Sequence, residues 1–151
     1  MNEESGHPVK YEMSEAEHLA AEAMMQPFSY KKPDTSELKR SKRFDLGKTD
    51  IVRGVMQVWK TGGETDLHYH ALTDSLWIVI KGRATFYGPD NVLIGEFGEQ
   101  EGVIMPRGAR YWFENSEEDD LEILQVVSSS VKGAKGSSRT IIGPARQDGA
   151  C

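Results

Sequence analysis

At 151 residues the chain has the length of one compact domain, and a composition of 38% hydrophobic and 28% charged residues is that of a folded protein with polar ends. Twenty-four acidic against eighteen basic residues leave a formal charge of -6, the wrong sign for a phosphate backbone, and the basic cluster Lys39, Arg40, Lys42 and Arg43 is short and lacks interleaved aromatics. Its single cysteine, Cys151, excludes an intrachain disulfide and a Cys-ligated structural metal, and no run approaches the ~18 apolar residues of a membrane helix, so a soluble cytoplasmic protein without nucleic-acid or membrane partners is expected.

Residues 1–37 read as an N-terminal arm. Ser14 followed by Glu17 forms a capping box, Leu19, Ala20, Ala23 and Met24 share a helical face, and Pro27 ends the run, which predicts one short amphipathic helix. That face should cover an end of its own barrel or of a neighbouring subunit. His18, within the helix, reads as a surface residue.

From residue 38 the chain breaks into short segments rich in Val, Ile, Trp, Tyr and Phe, separated by Gly, Pro, Asn and Asp, the rhythm of an all-β sandwich or barrel. Strands are predicted over 51–59, 65–70, 75–80, 84–87, 92–97, 103–105, 111–114 and 121–127. The basic cluster before them is taken as a solvated approach. Gly88-Pro89-Asp90-Asn91 has turn chemistry, and the carboxylates from Glu117 to Asp120 read as a solvated turn. The barrel domain is set at 38–131 and a flexible tail at 132–151, within which 139–142 can add an edge strand.

Along a strand, residues two apart project to one face, so His68 and His70 point together and Tyr69 points away. Two imidazoles on one face can reach one ion. Gly62 precedes His68-Tyr69-His70 by five intervening residues, and the next apolar strand closes at Gly82. Further on, Pro106-Arg107-Gly108 is followed after two residues by Tyr111 and after three more by Asn115. These two motifs, spanning residues 50–127, resemble those of the cupin superfamily, and the resemblance implies a double-stranded β-helix, a jelly-roll barrel with one open end for small ligands.

The departures from the motifs bear on function. Counted forward from His70, the motif glutamate falls on Asp74; counted back from Gly82, it falls on Ser75, and Asp74 is favoured because a carboxylate is the better ligand. The histidine of the second motif is Tyr111, and its leading glycine falls on Gln100. The resemblance implies a divalent transition metal (Fe, Mn, Ni or Zn) on His68, His70 and Asp74, with Tyr111 as a weak ligand or proton donor. Trp77 and Ser75, in phase with each other, are expected beside the substrate with Gln57, which, like Arg53 and Arg110, either orients the ligand or faces outward. The expected function is a metal-dependent oxygenase, isomerase or lyase acting on a small polar molecule. The alternatives are a metal-free ketoisomerase or epimerase of a nucleotide sugar, or a binding module without turnover. A homodimer is also expected.

Overall fold

The computed structural model describes residues 11–129 and 139–144. Helix α1 (Glu15–Ala23) begins at the predicted capping box: the Ser14 hydroxyl accepts from the Glu17 N–H at 3.1 Å, and the Glu17 carboxylate accepts from the Ser14 N–H at 3.3 Å. The helix buries none of its residues on the barrel, and Leu19, Met24, Met25 and Phe28 are exposed along and after it. No described helix is long and apolar enough to cross a membrane.

Ten strands follow: β1 (Ser41–Lys48), β2 (Val52–Trp59), β3 (Gly62–His70), β4 (Thr73–Lys81), β5 (Ala84–Tyr87), β6 (Leu93–Phe97), β7 (Gly102–Met105), β8 (Tyr111–Asn115), β9 (Leu121–Ser129) and β10 (Arg139–Pro144). They form two five-stranded antiparallel sheets, ordered β1-β2-β9-β4-β7 and β10-β3-β8-β5-β6. This is the expected jelly-roll. Trp59, Trp77, Val79, Phe86, Phe113, Leu121 and Ile123 fill the space between the sheets, each strand sending alternate side chains inward.

Two strands lie outside the predicted set or its barrel boundary. Residues 41–48 are a paired strand, not a solvated approach, and β10 places residues 139–144 of the predicted tail against β3, with Arg139 opposite His70. The rest of that tail lies outside the described residues.

The arm is strapped across the barrel by polar contacts. The Gln26 amide donates to the Lys48 carbonyl at 2.8 Å and accepts from the Lys48 N–H at 2.9 Å, so it satisfies backbone groups of an edge strand that would otherwise offer themselves to another chain. Tyr30 donates to Glu122 at 2.9 Å and meets Phe44 edge-on. In the acidic turn Glu117, Glu118 and Asp119 are exposed as expected, whereas Asp120 is half-buried: Lys32 and Lys60 each approach its carboxylate at 3.0 Å, and Thr35 donates to it. Burial works against the Asp120 anion, but the hydrogen bonds from Thr35, Lys32 and Lys60 outweigh it and hold the carboxyl down at about 2.

The motif glycines mark backbone requirements. Gly82 and Gly108 have φ of +95° and +82°, the left-handed region that an L side chain disfavours. Gln100 occupies the motif position of the second leading glycine and takes φ of +67°. The motif register is therefore intact there, and a non-glycine residue bears the strain. Asn115, the last motif residue, is buried; its amide donates to the Trp59 and Asp119 carbonyls at 3.2 and 2.9 Å and accepts from the Glu117 N–H at 3.0 Å, closing the loop into β9. Gln100→Gly is expected to stabilise the fold by about 0.5–1 kcal/mol, the left-handed strain relieved less the extra chain entropy of glycine. Urea unfolding measures this; an unchanged or lowered midpoint would show that the strain is compensated locally.

Candidate functional site

One end of the barrel holds a cavity of about 370 Å³ with His68, His70, Trp77, Tyr111, Phe113 and Gln125 in its wall. The strands assemble it by register. His68 and His70 share a face of β3 with ring centroids 5.2 Å apart, and His68 is paired directly across to Tyr111 of β8, the two rings 4.5 Å apart. Tyr111 is buried, stacked against Phe86 on its other side at 6.1 Å, so its ring is at once core and cavity wall. Where the second motif has histidine, this chain therefore sets a phenol across from His68.

The expected carboxylate is not with them. In β4, Thr73, Ser75, Trp77 and Val79 face inward, while Asp74 faces outward with 45% of its side chain exposed. Asp74 accepts from the Arg107 N–H at 2.8 Å and lies 3.7 Å from its guanidinium Nε. The assignment of Asp74 to the histidine pair is thus corrected. Ser75 stands at the inward position, as the count back from Gly82 requires.

Ser75 and Gln57 belong to a buried polar chain behind the cavity rather than to its lining. An indole N–H can only donate, so Trp59, donating to the Gln57 carbonyl oxygen at 2.8 Å, fixes the orientation of that amide. Gln57 Nε2 then donates to Gln125 Oε1 at 3.1 Å, and Gln125 Nε2 to Ser75 Oγ at 3.3 Å. The chain runs one way from β2 through β9 to β4, and of the two amides only Gln125 reaches the cavity. Trp77 does line it, as expected from its phase with Ser75. Arg53 also lines it, whereas Arg110 does not.

Three cavity residues escaped the sequence reading. Arg43 lies in β1, which was not predicted, although the alternation of Lys42, Phe44 and Leu46 against Arg43, Asp45 and Gly47 carried the signal of a strand. Arg139 arrives on β10 beside His70 through a pairing that spans the chain, and Gln125 sits in a strand taken as core. No local pattern marks either.

Both histidines are neutral near pH 7. Burial pushes His68 down from 6.5 to about 4 against the opposing hydrogen bond to the Asp66 backbone, with Arg139 and Arg43 adding to the depression. Burial likewise brings His70 to about 4, helped by His68, Arg139 and Arg43. His68 Nδ1 lies 2.8 Å from the Asp66 carbonyl, which can only accept. The proton is therefore on Nδ1, and Nε2 keeps a lone pair.

This donor set does not suit a resident divalent ion. Among the described residues no three His, Cys, Asp or Glu side chains converge, and the inward motif positions supply two neutral nitrogens, a hydroxyl and a phenol, without a carboxylate. The charges of Arg43 and Arg139, felt at both imidazoles, further oppose a cation.

A family model described as Cupin matches residues 36–145. The chain belongs to the cupin family. This cupin is similar to an uncharacterized double-stranded β-helix protein from Klebsiella pneumoniae subsp. pneumoniae, at 19% identity and TM-score 0.60 over 78% of this chain and 96% of that one. It also resembles an RmlC-like cupin from Methanocaldococcus jannaschii, at 22% identity and TM-score 0.55 over 70% and 92% of the two chains. An oxalate oxidase shares the fold at 20% identity and TM-score 0.53, over 68% of this cupin and 58% of that chain. No curated protein matches the sequence.

The neutral histidines make the stability of this cupin pH-dependent. Their folded pKa lies below the unfolded value, so protonation favours the unfolded chain: the contribution is complete above about 6.5 and is lost as pH falls towards about 4. The Asp120 contribution is lost only below its unfolded value of 3.8, a separate window. The urea midpoint is expected to fall between pH 7 and pH 4.5 in the wild type and to stay flatter in a His68→Asn/His70→Asn variant. Parallel curves for the two proteins would place the acid sensitivity elsewhere.

Proposed function

We propose that this cupin is an enzyme that moves a proton on a small polar organic molecule held in the barrel, an isomerase or lyase by reaction class, with His68 as base and Tyr111 as the acid. The observation that supports this most directly is the cross-strand pair itself: an imidazole whose Nδ1–H faces the Asp66 carbonyl, leaving Nε2 basic, against a phenol 4.5 Å away, centroid to centroid.

In this reading His68 Nε2 takes a proton from a carbon next to a carbonyl. The C–H electron pair becomes the enol double bond, and the carbonyl oxygen takes the Tyr111 proton. The imidazolium and phenolate form side by side, so each stabilises the other in a buried site, which offsets the low basicity that burial imposes on His68. With a 2-hydroxy carbonyl compound the intermediate is an enediol: the imidazolium returns its proton to the former carbonyl carbon while the other hydroxyl of the enediol gives its proton to the Tyr111 phenolate, which completes an isomerisation. Where the next carbon bears a leaving group, the enol proton goes back to Tyr111 as the carbonyl re-forms and the departing group takes the imidazolium proton, which gives a lyase. Trp77 and Phe113 confine the substrate between apolar walls.

The rival is the metal-dependent oxygenase or isomerase, in which His68 and His70, on one strand face, hold an ion. Elemental analysis of protein purified without chelator separates the two, together with solvent-deuterium incorporation into candidate carbonyl compounds. The proposal expects no stoichiometric Fe, Mn, Ni or Zn, and at least a tenfold loss of exchange, about 1.4 kcal/mol of transition-state stabilisation, in both Tyr111→Phe and His68→Asn. Tyr111→His, which supplies a third nitrogen, is expected to gain a metal that the wild type lacks. One equivalent of metal in the wild type, lost in His68→Ala/His70→Ala, would establish the rival.

A further inference from the structure

Basic side chains outnumber acidic ones among the described residues that line the cavity, the reverse of the balance in the chain as a whole. Among the described residues that line it are Arg43, Lys48, Arg53 and Arg139 and one carboxylate, that of Asp50, in a protein whose formal charge is -6. The arginines come from different parts of the fold: Arg43 from β1 and Arg139 from β10, the edge strands of the two sheets, and Arg53 from β2. Arg53 forms no ion pair among the described residues. With both imidazoles neutral, nothing in the histidine pair adds to or cancels this charge.

A second observation lies deeper. Trp77 is 3% exposed and lines the cavity, yet its indole N–H has no hydrogen-bond partner among the described residues. The same holds for the hydroxyl of Thr73, four residues earlier on the same face of β4 and also in the cavity wall. Buried donors are rarely left unpaired, because each then bears its full desolvation penalty. A ligand oxygen would satisfy them.

We propose that the ligand of this cavity is a small organic acid, its carboxylate held by the guanidinium groups of Arg43, Arg53 and Arg139 and a further oxygen accepting from the Trp77 indole N–H. This rests on the proton-transfer reading of the same site and gives it a substrate class. A planar guanidinium matches a carboxylate through paired N–H donors, which explains arginine rather than lysine at these positions. A cavity of about 370 Å³ suits an acid of a few carbons. The carboxylate, seated at the rim, would leave the carbon beside a carbonyl facing His68 and Tyr111.

The test is calorimetric titration and intrinsic tryptophan fluorescence of the full chain with C2 to C6 mono- and dicarboxylic acids and their 2-oxo and 2-hydroxy forms. Their neutral methyl esters and inorganic phosphate serve as comparisons. At least one acid is expected to bind, with affinity falling as salt rises, at least tenfold weaker in Arg43→Gln and Arg139→Gln, and with the fluorescence response lost in Trp77→Phe. Circular dichroism of each variant separates loss of binding from loss of fold. Failure of the whole acid panel, an ester binding as tightly as its acid, unchanged affinity in correctly folded arginine variants, or phosphate binding as tightly as the best acid would each overturn the proposal. Because binding is read without turnover, an acid that binds but exchanges no proton contradicts only the proton-transfer reading, and proton exchange on a neutral ligand contradicts only the acid assignment.

Discussion

A β-strand that turns one side chain inward must send its neighbour outward, and in β4 this pleat decides the character of the site. With Trp77 and Val79 committed to the core, Ser75 faces in and Asp74 faces out. A shift of one residue would bring the carboxylate into the barrel, but it would also expel the indole of Trp77, losing one of the largest buried side chains of the core. The core therefore fixes the chemistry: a hydroxyl, not a carboxylate, stands behind the histidines.

The electrostatics follow from that placement. Among the described residues no inward carboxylate stands beside His68 or His70, the Asp66 contacts at His68 do not offset its burial, and the arginines push the same way, so both rings stay neutral. The hydroxyl of Ser75 is in turn an acceptor that ends the one-way chain from Trp59 through Gln57 and Gln125. Each amide in that chain has a defined orientation because its donor end is an indole, and a buried network satisfied in this way rigidifies the wall from which Gln125 reaches the cavity.

The architecture was legible because it is written in local terms. Alternating β-branched and aromatic runs, turn residues and a capping box gave eight strands and the helix, and the two motifs singled out His68, His70 and Tyr111, which the strand register brings together. The motif glycines are legible for a physical reason, since they mark positive φ; Gln100 hid one such position because its side chain gives no hint of its backbone. Asp74 was misplaced because two counts disagreed by one residue and ligand chemistry was used to choose; strand phase could not arbitrate, since Leu76, Ile78 and Ile80 on the outward face of β4 are as apolar in sequence as Trp77 and Val79 on the inward one. Gln57 had the correct inward phase but lies too deep for the cavity. Arg43 and Arg139 were missed as site residues because what brings them there is pairing at the two sheet edges, which residue spacing does not record.

In the proposed function the histidine pair supplies a neutral base set beside a phenol rather than a pair of metal ligands. Long-range proton–nitrogen correlation NMR of the histidine side chains, run at neutral pH and again after addition of Zn(II) or Mn(II), tests it most directly. His68 is expected as the Nδ1–H tautomer with an unprotonated Nε2, neither His68 nor His70 is expected to protonate until the pH falls well below 6.5, and one equivalent of metal is expected to leave both sets of signals in place. Stoichiometric loss or displacement of the His68 and His70 signals on adding the ion, or an ordinary titration near pH 6.5, would contradict it.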